Sequence, residues 1–183
     1  LNRNSDVING KRIIGKYKSN SKDKQYAQLL DQAFKEASRL AVGNPAPTFS
    51  YTDLTGKMVS LTDFKGKIVY LDIWASWCGP CLKEMPYIKA LKEKYKDKEL
   101  EVVSISIDTN EKAWLKIIKD MKLTGVQLID SIGSEKSKIA KDYHIAGVPH
   151  FVLIDKYGKI VSASAPRPSE TILLEKAINA LLK

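Results

Sequence analysis

The stretch Trp77-Cys78-Gly79-Pro80-Cys81 decides the fold. It carries the only two cysteines of a 183-residue chain, three positions apart. An apolar run from Ile68 to Trp74 leads into it, and a helical pattern from Leu82 to Tyr95 leads out. Residues i and i+3 share a face at the start of a helix. The two sulfurs can therefore come within bridging distance, which needs Cα atoms about 4.4–6.8 Å apart. A thiolate at a helix N-terminus faces unpaired N–H groups and the positive end of the dipole, which lowers its pKa. On this reading Cys78 is the reactive thiol, Cys81 the resolving thiol, and the two form a redox-active disulfide. Two other uses of the pair compete with this one. A zinc site needs about four ligands, and the other soft candidates are His144 and His150 alone. A purely structural disulfide across so short a loop gains little entropy.

The length suits one domain plus an appendage, and 44% hydrophobic residues can build a sizeable core. Lys+Arg is 30 against Asp+Glu 21, a net charge of +9. The lysines are spread over the whole chain with no dense basic-aromatic patch, so they read as a solvated surface and not as a nucleic-acid interface. No window is apolar enough for a transmembrane helix. A chain that opens at Leu1 reads as a fragment or processed form, whose signal peptide, anchor or upstream domain would lie outside it. Two cysteines in one motif leave the redox compartment open.

Residues 1–42 read as an appendage. Positions 1–23 are polar and Lys/Asn/Ser-rich, a linker or arm. Lys24 to Leu40 is helical by pattern, with Tyr26, Leu29, Leu30, Ala33, Phe34, Ala37 and Leu40 as its apolar stripe. It either packs on the core or ends a preceding domain. Gly43-Asn44-Pro45-Ala46-Pro47 breaks the chain. From there to residue 183 one domain is expected. Phe49–Thr52 and Met58–Leu61 flank the turn group Asp53-Leu54-Thr55-Gly56 and predict a hairpin. Ile68–Trp74 is too apolar for a half-exposed strand and belongs in the middle of a sheet. Pro86 predicts a kink in the cysteine helix. Glu101–Ile107 is a second buried strand. Asp108 or Thr109 can cap a helix over Glu111–Met121. Val126–Ile129 is a short strand, and Ser134 can cap a helix to about Tyr143. Phe151–Asp155 and Ile160–Ala163 predict a second hairpin, and Ser169 a cap for the last helix. Strands alternating with helices, closed by a hairpin and a helix, give an α/β sandwich around a mixed sheet.

A strand followed by Cys-x-x-Cys at a helix start is a thioredoxin-like redox signature. Trp74-Ala75-Ser76-Trp77-Cys78-Gly79-Pro80-Cys81 resembles the thioredoxin active-site loop, and Gly147-Val148-Pro149 resembles the segment that holds its cis-proline. Within that superfamily the chain resembles the TlpA/ResA-like thiol-disulfide oxidoreductases of bacterial envelopes over roughly residues 43–183. Three stretches carry this: Gly43 to Phe49 with the hairpin after it, Cys81-Leu82-Lys83-Glu84-Met85-Pro86, and the segment from Thr109 to about Ser134, which resembles an inserted helix and strand. Two residues depart from the pattern. Asp72 stands where that subgroup often has a neutral residue, and so resembles the buried carboxylate of thioredoxin itself. Ser104 stands where thioredoxin pairs that carboxylate with a lysine.

The resemblance implies a thioredoxin-like fold and thiol-disulfide exchange. It implies no small-molecule cofactor and no nucleic-acid partner. Its partners would be protein disulfide substrates and an upstream thiol electron donor, and its place the bacterial cell envelope, on the periplasmic side; the oligomeric state stays open, with a monomer favoured. Asp72 and Glu84 are the candidate bases for Cys81: a carboxyl buried in a strand has a raised pKa and accepts a proton near neutrality, and Glu84 lies one turn past Cys81. A cis Pro149 would set the Val148 backbone beside Cys78, where an extended substrate can pair with it. Trp77 reads as apolar surface at the site and Trp74 as core. His150 reads either as a charge that tunes Cys78 or as a spectator. Gly-Pro between the cysteines points to a disulfide reductase; a disulfide-donating oxidase or isomerase and a redox-inactive interaction module are the alternatives.

Overall fold

The computed structural model describes residues 10, 12–13, 15–16, 24–133 and 136–183. Its centre is a seven-stranded mixed sheet. The strands are β1 (Ser50–Asp53), β2 (Met58–Ser60), β3 (Ile68–Trp74), β4 (Leu100–Ser106), β5 (Val126–Ile129), β6 (His150–Ile154) and β7 (Ile160–Ser162), in the spatial order β2-β1-β5-β4-β3-β6-β7. β3 pairs parallel with β4 and antiparallel with β6, and all seven of its residues are buried. That burial on both faces is why its sequence reads as an unbroken apolar run with one charge in it. β5 pairs parallel with β4 and antiparallel with β1, which adds the N-terminal hairpin to the sheet edge.

Five α-helices accompany the sheet among the described elements: α1 (Lys24–Ala37), α2 (Gly79–Lys94), α3 (Glu111–Asp120), α4 (Lys138–Asp142) and α5 (Thr171–Leu181). α2 runs unbroken through Pro86. Along α2, Cys81, Glu84, Met85, Ile88 and Leu91 are buried, a stripe at helical spacing that covers one face of the sheet. The stripe proposed for α1 is not all inward. Ala27 and Leu40 are buried, while Tyr26 and Leu29 remain 50% and 61% exposed. The polar arm at 1–23 lies largely outside the described residues.

Three helices carry caps other than those expected from the sequence, and at two of them, α3 and α5, an expected residue bonds elsewhere. α3 is capped by Asn110, whose Oδ1 accepts from Ala113 N at 3.1 Å; Asp108 is turned inward instead. α4 is capped by Ser137, which accepts from Ala140 N, and Ser134 lies outside the described residues. α5 starts after Glu170, and Ser169 donates to Glu84. A capping side chain and an inward hydrogen-bonding side chain carry the same sequence signal.

Candidate active site

β3 ends at Trp74, and the loop Ala75–Trp77 delivers Cys78 to the N-cap of α2. The Cys78 carbonyl accepts from Leu82 N at 3.1 Å, the first bond of the helix. Pro80 occupies the first turn, where its missing N–H costs nothing. Cys78 and Cys81 are joined by a disulfide, with Cα atoms 5.2 Å apart. Cys81 N donates to Cys78 Sγ at 3.2 Å, so the sulfur of the outer cysteine sits against an orphan N–H of the helix start. Cys78 is 4% exposed and Cys81 1%; attack from outside therefore reaches Cys78 first. Trp77 is 65% exposed beside it, while Trp74 is fully buried.

The peptide bond Val148–Pro149 is cis. β6 starts at the next residue, His150, which pairs with Ile73 near the end of β3. This register sets Val148 and Pro149 at the same end of the sheet as the cysteine loop. The His150 ring Nε2 lies 2.8 Å from the carbonyl oxygen of Ala163.

Asp72 is 1% exposed in β3, between Ser104 of β4 and Phe151 of β6. Burial pushes its pKa from an ordinary 3.8 up to about 7; Ser104 and Lys92 pull it down and Glu84 pushes it further up. Ser104 acts as a polar neighbour and not as a bonded partner, because neither Ser104 Oγ nor Asp72 Oδ2 makes a hydrogen bond of regular geometry among the described residues. Glu84 is buried on α2, but its oxygens are occupied. Oε2 accepts from Ser169 N and Oε1 from Ser169 Oγ, both at 2.9 Å, and the Arg167 guanidinium stands 3.9 Å away. Its carboxylate therefore ties α2 to the 166–170 loop, which Tyr70 also holds through Pro166 O at 2.7 Å.

Sequence reasoning missed two residues at this site. Asp108, buried two residues past the end of β4, accepts from Ser76 N at 2.8 Å, from Ser76 Oγ at 2.7 Å and from Ser106 Oγ. It thus pins the loop two residues before Cys78. An isolated Asp after a strand reads as a cap, and nothing local distinguishes the two uses. Lys92 supplies a cation on the Asp72 side of α2. Here a signal existed: the apolar stripe of the helix runs 81, 85, 88, 92, 95, so Lys92 occupies an inward position.

The redoxin family profile matches residues 41–182. The chain belongs to the redoxin family. Among redoxin relatives, the thiol-disulfide oxidoreductase ResA of Bacillus cereus (strain ATCC 10987 / NRS 248) is 40% identical over 133 residues, 73% of this chain and 75% of that protein. ResA of Bacillus subtilis (strain 168) is 28% identical over 145 residues, 79% of each chain. The crystal structure of the thioredoxin domain of a Bacteroides vulgatus thiol-disulfide oxidoreductase superposes with a TM-score of 0.70 at 34% identity, covering 79% of this chain and 99% of that one. A Bacteroides fragilis thiol-disulfide oxidoreductase superposes at 0.66 and 30% identity, over 73% and 98%. The redoxin domain here is a TlpA/ResA-like thiol-disulfide oxidoreductase with a thioredoxin-like fold, acting on protein disulfides.

Proposed function

We propose that this enzyme reduces disulfides of other proteins in the bacterial cell envelope, using the Cys78-Gly79-Pro80-Cys81 dithiol and electrons from an upstream thiol donor. The observation that carries the reading is the pair at the N-terminus of α2 with a buried, protonatable carboxyl behind it. The reduced enzyme opens with Cys78 as thiolate, held by the N–H groups of the helix start. Its sulfur attacks a substrate disulfide, forms a mixed disulfide and expels one substrate thiolate. Cys81 then gives its proton to Asp72 and attacks Cys78 Sγ. The Cys78–substrate bond breaks, the second substrate thiolate leaves, and the Cys78–Cys81 disulfide forms. Two electrons have passed to the substrate, and the donor thiols return them to the pair. Glu84 supports this cycle by fixing α2 and by raising the proton affinity of Asp72. Val148 and Pro149 offer backbone to an extended substrate, and Trp77 an apolar surface.

Residues 43–183 are the catalytic domain in this reading, and 1–42 an appendage that leads to an envelope anchor or an upstream domain. The similarity to envelope oxidoreductases supports that placement; no helix among the described residues is long and apolar enough to cross a membrane. A monomer suffices, since every proposed group comes from one chain.

The test is the reduction potential of the Cys78–Cys81 pair, read by thiol trapping after equilibration against dithiothreitol or glutathione. A value near about −270 mV supports the reductase, and one near about −120 to −180 mV overturns it in favour of an oxidase or isomerase. No reversible two-electron transition, and no insulin reduction that Cys78→Ser abolishes, would leave an interaction module.

A further inference from the structure

The end of the sheet away from the cysteines gathers lysines that are scattered along the chain. Lys67 directly precedes β3, Leu100 opens β4 beside Ile68, and Ile154 closes β6 beside Val69. These residues therefore lie at one end, and the cysteine loop, which follows Trp74, at the other. β3 has seven residues, which at about 3.3 Å each sets the two ends about 20 Å apart. Two open recesses lie at the lysine end, and Lys67 lines both.

The first is a trough of about 360 Å³ with an apolar floor of Ala46, Leu61, Phe64, Val69 and Ile154. That volume falls in the range of ligand sites, about 300–1,000 Å³. Lys65, Lys67 and Lys156 line the trough as well, and Tyr157, 75% exposed, stands with them. Lys156 Nζ lies 5.7 Å from the centre of the Tyr157 ring. Gly66 N donates to Lys156 O, which ties the two lysine-bearing loops together. Asp155 is the one carboxylate in this lining among the described residues, and its Oδ1 already accepts from Tyr157 N and Lys159 N. The second recess is a cleft of about 480 Å³ beside the C-terminal half of α2, where Lys67, Lys89, Lys92, Lys96 and Lys98 meet two glutamates. Lys67 pairs with Glu101 and Lys96 with Glu93. Lys89 and Lys92 reach the backbone oxygens of Met121 and Thr124. Across both recesses seven lysines stand against three carboxylates, and Asp97 and Glu99 in the turn beside Lys98 still leave an excess of positive charge.

An apolar trough ringed by ammonium groups fits a partner that carries apolar and negative groups side by side over a broad area. Protein–protein interfaces are depleted of lysine, and this end is built from it. An anionic bilayer has the matching order, phosphates in a plane over acyl chains. Lysine rests its stem on apolar surface with its head among the phosphates, and tyrosine settles at the boundary. We propose that this end of the domain docks on a bilayer of anionic phospholipid, with Tyr157 and the trough at the head-group boundary and the surrounding lysines on the phosphates. Docked so, the head of α2 and its cysteines point away from the lipid, about 20 Å above it, open to protein substrates. A single signal of this kind binds reversibly, so the face orients the enzyme on the membrane and does not anchor it. The face stands apart from the redox chemistry; its use in the cell rests on the envelope placement proposed above.

The test is flotation of the full oxidised chain with vesicles, one set of phosphatidylcholine and one of equal parts phosphatidylcholine and phosphatidylglycerol. The protein should float with the second set and not with the first, and less as salt rises. Lys65→Gln with Lys156→Gln should weaken partition about thirtyfold, equivalent to about 2 kcal/mol, the worth of two lysines at an anionic surface. Lys83→Gln with Lys112→Gln removes the same charge at the cysteine end, farther from the lipid than the Debye length of about 10 Å at 0.1 M salt, and should leave partition near the parent's. Tyr157→Trp should add fluorescence that phospholipids brominated on their acyl chains quench, over and above the parent's signal. Equal losses in the two lysine pairs would mean that net charge alone binds. Flotation without added quenching would mean that the trough does not meet the acyl boundary, and no flotation that no bilayer is recognised. Each of these three results overturns the proposal. Insulin reduction by the variants in solution should match the parent, which shows that they fold. If the parent itself reduces no insulin, the reductase reading fails and the docking result stands.

Discussion

Asp72→Asn keeps the shape of the side chain and removes its charge. Asp72 is 1% exposed, and burial lifts its pKa from 3.8 to about 7 against the pull of Ser104 and Lys92. A carboxyl whose folded pKa lies above its unfolded value binds more protons folded than unfolded. Stability therefore falls as pH rises from about 4 to about 7, and the loss is complete above that window. Each pH unit between the two values corresponds to about 1.36 kcal/mol, so the carboxylate costs about 4 kcal/mol at pH 8 relative to pH 3. Asn pays nothing over this range. Its own fit in the site adds a term that does not vary with pH, so the informative quantity is how the difference between the two proteins changes. The assay is urea unfolding of the oxidised proteins from pH 3 to pH 8, where no thiol titrates. The variant should gain about 4 kcal/mol on the parent across that range, with the change centred between pH 4 and 7. A difference that stays flat, or one that turns against Asn as pH rises, refutes the argument that Asp72 is held neutral by burial.

Other expectations concern the groups around it. Asp108→Ala strips the Ser76 N–H and hydroxyl of their acceptor; it should cost about 2–4 kcal/mol by denaturation and slow exchange at Cys78, because the loop before it loses its anchor. Ser169→Ala removes one of the two bonds that Ser169 gives Glu84 and should cost about 1.5–3 kcal/mol in urea unfolding, since a buried charge is its acceptor. Cys81→Ser should accumulate a substrate mixed disulfide on Cys78, visible on non-reducing gels, with insulin turnover falling to the level of Cys78→Ser.

How much was legible in the chain varies by element. The cysteine motif, the buried run Ile68–Trp74 and the alternation of strands and helices fixed the fold class, because each is a local pattern with a local cause: an N-cap, a two-sided burial, a periodicity. The position of Asp72 within an apolar run marked it as buried for the same reason. Helix caps failed at Asp108 and Ser169, since a residue that can cap can also bond a distant group, and Ser76 and Glu84 are 32 and 85 positions away. The exposed side of α1 was likewise invisible, because periodicity tells that a stripe exists and not what covers it.

By itself the sequence determined the chemistry: two thiols three residues apart at the head of a helix, with one carboxylate in the strand before them. Only the tertiary structure decided the surroundings that set their reactivity. Parallel pairing of β3, β4 and β5 aligns Asp72, Ser104 and Gln127, and the lie of α2 brings Lys92 near them. Electrostatics and proton transfer act through space over a few ångströms, and residues up to 55 positions apart along the chain become neighbours only when the sheet is assembled.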